Sequence, residues 1–205
     1  MARYLGPKHT LCRKFGIKLC DSPKCPAIRR PYKHGQHGPK GTSRTSEYGT
    51  QLAEKQKARM LYGLLERQFR NYVKKATGQT GNSGENLIKL LERRLDNIMY
   101  RAGIAQTRRM ARQLVSHGHV RVNGKKVSIP SYICRAGETI QLKPRAENMG
   151  FIKDAKKGLS KKIIPSWIHI ASSEPITIEI TGDPSETDVL GVGINTSLII
   201  EFYSR

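Results

Sequence analysis

In the stretch HTLCRKFGIKLCDSPKC, residues 9–25, three of the chain's four cysteines and a histidine share seventeen positions. Their order is H-x2-C followed by C-x4-C, two close pairs with seven residues between Cys12 and Cys20. Two ligands from each of two turns is how a structural zinc tetrahedron is closed, although this inter-pair loop is shorter than in ordinary zinc fingers. The same thiols could also stand unligated, and spacing alone leaves both readings open. Disulfides are disfavoured. MARYLGPKH, residues 1–9, lacks the apolar centre of a signal peptide, so the expected compartment is a reducing one. His34 and His37 in KHGQHG are rival ligands, whereas Cys134 in SYICRAG reads as a small core residue.

The charge around these residues narrows what the chain acts on. Lys and Arg outnumber Asp and Glu by 10 in residues 1–46, by 4 in 47–91 and by 9 in 92–145, whereas 146–205 carries a balance of −2. A field of this size on a folded chain repels itself unless a polyanion neutralises it. Nucleic acid is the expected partner and an anionic membrane surface the second choice. No apolar run approaches the roughly 20 residues of a membrane span.

The elements that must position these groups follow from period and punctuation. Residues 1–46 carry Gly and Pro (RRPYKHGQHGPKGTSR, 29–44) and no stable hydrophobic period, so the segment needs a metal or a polyanion to order it. One helix is expected from Ser46 or Glu47 to Gly63 and another from Leu64 to Ala76. A third is predicted to run unbroken from Ser83 or Glu85 to Gly103, with Leu87, Leu91, Leu95, Ile98 and Ala102 on one stripe and Arg93, Arg94 and Arg101 on other faces. Thr107 caps a fourth, in which Met110, Ala111, Leu114 and Val115 face inward and Arg108, Arg109, Arg112 and Ser116 outward. The period then changes to two: HVRVNGKKVSI is a hairpin about Asn123-Gly124, and strands are expected at 138–143 and 176–180. The pattern is weak over 144–166, and propensity favours a strand for SLIIEFY near the end.

This order places Arg108, Arg109 and Arg112 beside the hairpin residues Arg121, Asn123, Lys125 and Lys126. The planar Arg fork suits phosphate and stacks on bases, so an Arg-led patch fits structured RNA better than a membrane.

LERRLDNIMYRAGIAQTRRMARQLVSHGHVRVNGKKVSIPSY, residues 91–132, resembles the small RNA-binding module of the S-four family of small-subunit ribosomal proteins. RRPYKHGQHG (29–38), EKQKARMLYGLLERQFRNY (54–72), LIIEFYSR (198–205), LGPK and SPKC extend the resemblance to nearly the whole chain; it is weakest over about 144–195. The fold class expected is α+β: an irregular zinc-knot segment (1–46), a small helical domain (47–91) on which 197–205 packs as a short helix, and an RNA-binding α/β domain (92–196) whose core, 92–145, is an αα-hairpin followed by β-strands. The family implies direct, early binding to small-subunit rRNA at a multi-helix junction. It further implies a place at the mRNA entry channel beside other small-subunit proteins, with a contribution to mRNA unwinding and decoding accuracy. Some members hold zinc through four cysteines; Cys12, Cys20 and Cys25 match three, and His9 stands where the fourth falls. The expected RNA-contacting set is Arg3, Arg13 and Lys14; Arg29, Arg30, Tyr32, Lys33, His34, Gln36 and His37; Lys55, Lys57, Arg59, Arg67 and Arg70; Arg94, Arg108, Arg109, Arg112 and His117; and Arg121, Asn123, Lys125 and Lys126.

An enzyme would need a further domain with a committed acid or nucleophile in a pocket, and a His34/His37 pair on a Gly-Pro loop is a poor scaffold for one. No small-molecule substrate is expected. The remaining rival is a free-standing RNA chaperone or RNA-modifying accessory protein built on the same module. The expected setting is a cytoplasmic ribosome, and bacterial and organelle-encoded members would look alike.

Overall fold

The computed structural model describes residues 4, 6–20, 22, 24–41, 44–158, 163–173, 175–184 and 193–205. They form two compact units, one of residues 1–87 with 192–205 and one of 88–191. The fold is α+β, a mixture of helices and one antiparallel sheet. Among the described residues, no helix is long and apolar enough to cross a membrane.

The first unit opens on helix rather than on wholly irregular chain. α1 (Lys8–Phe15) starts after Pro7 and stops at Gly16, whose φ of 67° lets its amide reach Arg13 O while Ile17 N–H reaches Cys12 O. α2 (Pro26–Arg29) is a single turn with proline at its start. α1 buries only Cys12, which is why no hydrophobic period announced it. α3 (Glu47–Leu61) is capped by Ser46, whose hydroxyl accepts from Gly49 N–H. α4 (Glu66–Thr77) buries Phe69, Tyr72, Val73 and Ala76.

The chain end corrects the propensity reading of a strand: Thr196–Ser204, α10 in chain order, is a helix capped by the Asn195 side chain on Leu198 N–H. Packing decides it. Ile199 is buried, Phe202 stacks obliquely on Tyr48, Tyr203 lies near Phe69, and the Tyr203 hydroxyl donates to Glu66 at 2.8 Å. Contacts of that kind outweigh the weak β preference of two isoleucines.

In the second unit the expected long helix is broken. α5 (Ser83–Glu92) ends before Arg93-Arg94, and α6 (Leu95–Arg101) begins after them. Arg94 is extended, at φ −67° and ψ 134°, and bridges Ile133; Leu95 N–H donates to Tyr132 O, and Cys134 N–H to Arg93 O, each at 2.9 Å. The break turns α6 against α7 (Arg108–Ser116), whose first turn is capped by Thr107 on Met110 N–H. β1 (Val120–Val122) and β2 (Lys125–Val127) form the expected hairpin, with both Asn123 (φ 47°) and Gly124 (φ 77°) left-handed, as a type I′ turn requires.

β3 (Thr139–Leu142), β4 (Ile168–Ser173) and β5 (Ile176–Ile180) complete a sheet of order β2-β1-β3-β5-β4, antiparallel throughout. α8 (Pro144–Glu147) and α9 (Gly150–Gly158) lie between β3 and β4. Val120, Val122, Ile140, Leu142, Ile176, Ile178 and Ile180 point into one core with Leu95, Ile98, Met99, Leu114, Val115, Ile152, Trp167 and Cys134. Burial of the Cys134 thiol raises its pKa far above the ordinary thiol range, in keeping with a packing role.

Candidate RNA interface and metal centre

α1 sets His9 and Cys12 three residues apart, one turn along the same side of the helix. The loop after Gly16 and the start of α2 return Cys20 and Cys25 to them. Ligand atoms of His9, Cys20 and Cys25 all lie within 4.8 Å of one another, and Cys20 Sγ is 3.6 Å from His9 Nδ1. Tetrahedral zinc, with bonds of about 2.3 Å to sulfur and about 2.0–2.1 Å to nitrogen, holds such a pair about 3.6 Å apart. Cys12 is not part of this trio; it is fully buried and packs with Cys25, Ala27, Leu19 and Cys20. Burial pushes the Cys12 thiol up to about 11, with the neighbouring Cys20 adding to the rise. Cys25 is also opposed by burial, yet the Ala27 amide, His9 and the other two thiols outweigh it and bring it down to about 7. One imidazole and two to three thiols that share protons are a donor set suited to a borderline-soft cation. His34 and His37 are not in the cluster. Arg13 instead holds the His34 loop, donating from Nε to Tyr32 O, from Nη2 to Lys33 O and from Nη1 to His34 Nδ1 at 2.9 Å, with its fork 5.0 Å from the Tyr32 ring.

In residues 92–145 three carboxylates stand among twelve Lys and Arg, and each is used internally. Asp96 accepts from Arg94 Nε and Nη2 at 3.0 and 2.7 Å and from Arg112 Nε at 3.2 Å. Glu92 holds Arg101 through two parallel bonds. Glu138 accepts from the Tyr132 hydroxyl and from Arg135 N–H.

Several residues of the expected RNA-contacting set are held by partners inside the fold. Arg94 and Arg112 do not face outward; they are 1% and 8% exposed and locked on Asp96. Lys55 is buried, donating to Glu66 at 2.8 Å and lying 4.8 Å from the Phe202 ring. Lys57 is buried against Glu54 and the Gly193 carbonyl. Both lysines dock the C-terminal segment. Asn123 is exposed, but its Oδ1 accepts from Thr139 N–H and Oγ1, so it locks the hairpin to β3. Arg59 is half-buried against Glu66, and Arg108 and Arg109 are half-buried. Lys14, Arg29, Arg30, Tyr32, Lys33, His34, Gln36, His37, Arg67, Arg70, His117, Arg121, Lys125 and Lys126 are exposed; Arg3 lies outside the described residues.

Arg121 faces Lys126 directly across the β1–β2 pair. Like charges so placed destabilise a hairpin unless an anion sits between them. His119, Lys143 and Arg145, absent from the expected set, form a second basic group: burial, then His117, Lys143 and Arg145, hold the His119 imidazole below its usual pKa. Lys143 and Arg145 flanking the end of β3 were the available signal.

The comparisons with known proteins match this architecture. Residues 3–92 fit the family model of the ribosomal protein S4/S9 N-terminal domain, and residues 93–140 fit that of the S4 domain. The class is thus a ribosomal-type N-terminal domain joined to an S4 domain. Relatives named small ribosomal subunit protein uS4 align over all of both chains: 45% identical over 207 residues in Pelodictyon phaeoclathratiforme, 46% over 208 in Roseiflexus castenholzii and 44% over 211 in Clostridioides difficile. The chain belongs to the uS4 family. These relatives are ribosomal proteins, not enzymes.

Proposed function

We propose that this protein is a structural component of the small ribosomal subunit that binds small-subunit rRNA directly. The observation that carries this reading is the use of every carboxylate of residues 92–145 inside the fold, while Arg121, Lys125 and Lys126 stand exposed with no ion-pair partner among the described residues. Family membership over the full length supports it. In this reading the protein joins early in assembly, contacts neighbouring small-subunit proteins and acts on cytoplasmic ribosomes. It also lines the mRNA entry region, where its cations assist unwinding of mRNA and decoding accuracy. A single zinc held by His9, Cys12, Cys20 and Cys25 supplements the small core that Cys12, Cys25 and Ala27 form, and its role is structural.

The test is salt-dependent binding to small-subunit rRNA transcribed in vitro. Replacing Arg121, Lys125 and Lys126 by alanine together should lower the slope of log K against log salt by about two units, from about 0.7–0.9 per phosphate contact. An unchanged slope would remove the hairpin from the interface, and no binding by the wild-type chain would refute the reading.

A further inference from the structure

Arg13 follows Cys12 on α1, and its guanidinium holds the loop that closes at Gly38. Nε donates to Tyr32 O at 3.1 Å, Nη2 to Lys33 O at 3.2 Å and Nη1 to His34 Nδ1 at 2.9 Å. The loop turns at Gly35, whose φ is 94°, and Gly38 N–H donates to Gly35 O at 3.1 Å. A Cβ on Gly38 would stand 2.1 Å from Lys33 O, so glycine is required where the loop closes on that carbonyl. His34 is thus fixed through its backbone and through one ring nitrogen. A guanidinium can only donate, so Nδ1 must be the acceptor and the proton of the neutral imidazole sits on Nε2. Among the described residues Nε2 has no partner, and His34 is exposed.

We propose that His34 contacts the RNA backbone through Nε2–H, donating to a phosphate oxygen, and that Arg13 is the positioning residue that fixes this tautomer and aims it. The proposal rests on the rRNA-binding reading of the chain. The surroundings select the ligand. Arg29, Arg30, Lys33 and His37 are exposed about the same loop, and residues 1–46 contain a single acid, Asp21. An anionic oxygen is therefore the acceptor that this setting favours. The choice of arginine has a physical reason. Its planar fork meets two carbonyls and a ring nitrogen at once, which the point charge of a lysine cannot do. A donor held in place before RNA arrives loses little freedom on binding, so affinity rises without a further contact.

The experiment is a double-mutant cycle on the full-length chain at about pH 8, above the ordinary imidazole pKa. In vitro transcribed small-subunit rRNA is the probe, and affinity is measured across a salt series. His34→Ala should weaken binding about tenfold, the loss expected for one hydrogen bond to a charged group. The salt slope should stay unchanged, because a neutral donor displaces no counterion. Arg13→Lys keeps the charge and should still weaken binding at least threefold, with losses less than additive in the double variant. Nitrogen-15 spectra of the wild-type imidazoles should show His34 Nδ1 unprotonated. His34 is exposed, so its replacement leaves the fold intact and decides the matter even where an Arg13 variant unfolds. Wild-type affinity in His34→Ala, a slope lowered by about 0.7–0.9 in that variant, or a proton on Nδ1 overturns the proposal alone. A folded Arg13→Lys with wild-type affinity, or additive losses, overturns the positioning role of Arg13. Failure of the wild-type chain to bind overturns the rRNA reading and the proposal with it.

Discussion

Replacing Asp96 by alanine should destabilise the unit of residues 88–191 by about 3–5 kcal/mol. The carboxylate is 5% exposed and is shared by two guanidiniums, Arg94 at 1% and Arg112 at 8%. Removing it leaves both cations buried without the charge between them. Deleting one partner of a buried pair costs about 3–5 kcal/mol, a large part of the about 5–15 kcal/mol that holds a domain together. For a unit of about 100 residues each kcal/mol moves the midpoint by about 4–8 °C, so a fall of at least about 12 °C is expected. The chain has one tryptophan, Trp167, 3% exposed in the same core, and its fluorescence reports this unit during thermal or urea unfolding. The control is Asp183→Ala. Its pair with Arg93 has side chains 25% and 50% exposed, and such pairs contribute about 0–1 kcal/mol. If Asp96→Ala shifts the midpoint by no more than this control does, Arg94 and Arg112 are solvated in solution and the burial argument is wrong.

Metal analysis of the purified protein should give about one zinc per chain, and chelation should reduce helical signal from residues 8–29 while Trp167 emission stays unchanged; zinc retained by a Cys20→Ser/Cys25→Ser variant would refute the site. Glu66 is held below its ordinary pKa of 4.5, because hydrogen bonds from Lys55 and Tyr203 and the charge of Arg59 outweigh burial. A depressed carboxyl stabilises the fold fully above the unfolded pKa and stops doing so as pH falls through the folded one. Hydrogen-exchange protection of α10, corrected for intrinsic rates, should therefore fall below about pH 4.5, and Glu66→Gln should flatten the profile; an unaltered profile excludes Glu66 as its cause. His119 has a pKa below 6.5 because burial and then surrounding cations disfavour its charge. A phosphate at this group reverses that field, so rRNA affinity should rise as pH falls from about 7.5 to 5.5 and the rise should shrink in His119→Gln. A slope kept in full by that variant assigns the effect elsewhere.

What could be read from the residues alone follows a physical division. Local signals sufficed where the chain decides its own conformation: Thr107 caps α7, Asn123-Gly124 turns the hairpin, and Phe69, Tyr72, Val73 and Ala76 mark α4. They failed where tertiary contacts decide. Nothing in LERRLDN signals that Arg94 leaves the helix to bridge Ile133, and the stripe from Leu87 to Ala102 runs straight through the break. The tail isoleucines favour strand until Phe202 and Tyr203 find Tyr48 and Phe69. β4 is masked by its His169 and its serines. At the site, residue types were legible and roles were not. Helical spacing set Arg112 beside Arg108 but gave no sign that Asp96 lies beneath it, and spacing alone did not decide between His9, His34 and His37 as companions to the cysteines. The rarity of acids in residues 92–145 was the clue: with three among twelve cations, each was bound to be committed internally.

Sedimentation of the tagged chain from cell lysate through a high-salt sucrose gradient tests most directly whether it is an rRNA-bound constituent of the small subunit. Co-migration with the small-subunit peak at about one copy per particle, through salt that strips loosely bound basic proteins, is the predicted result. Recovery of the chain mainly at the top of the gradient, as a free RNA-binding protein, would contradict it.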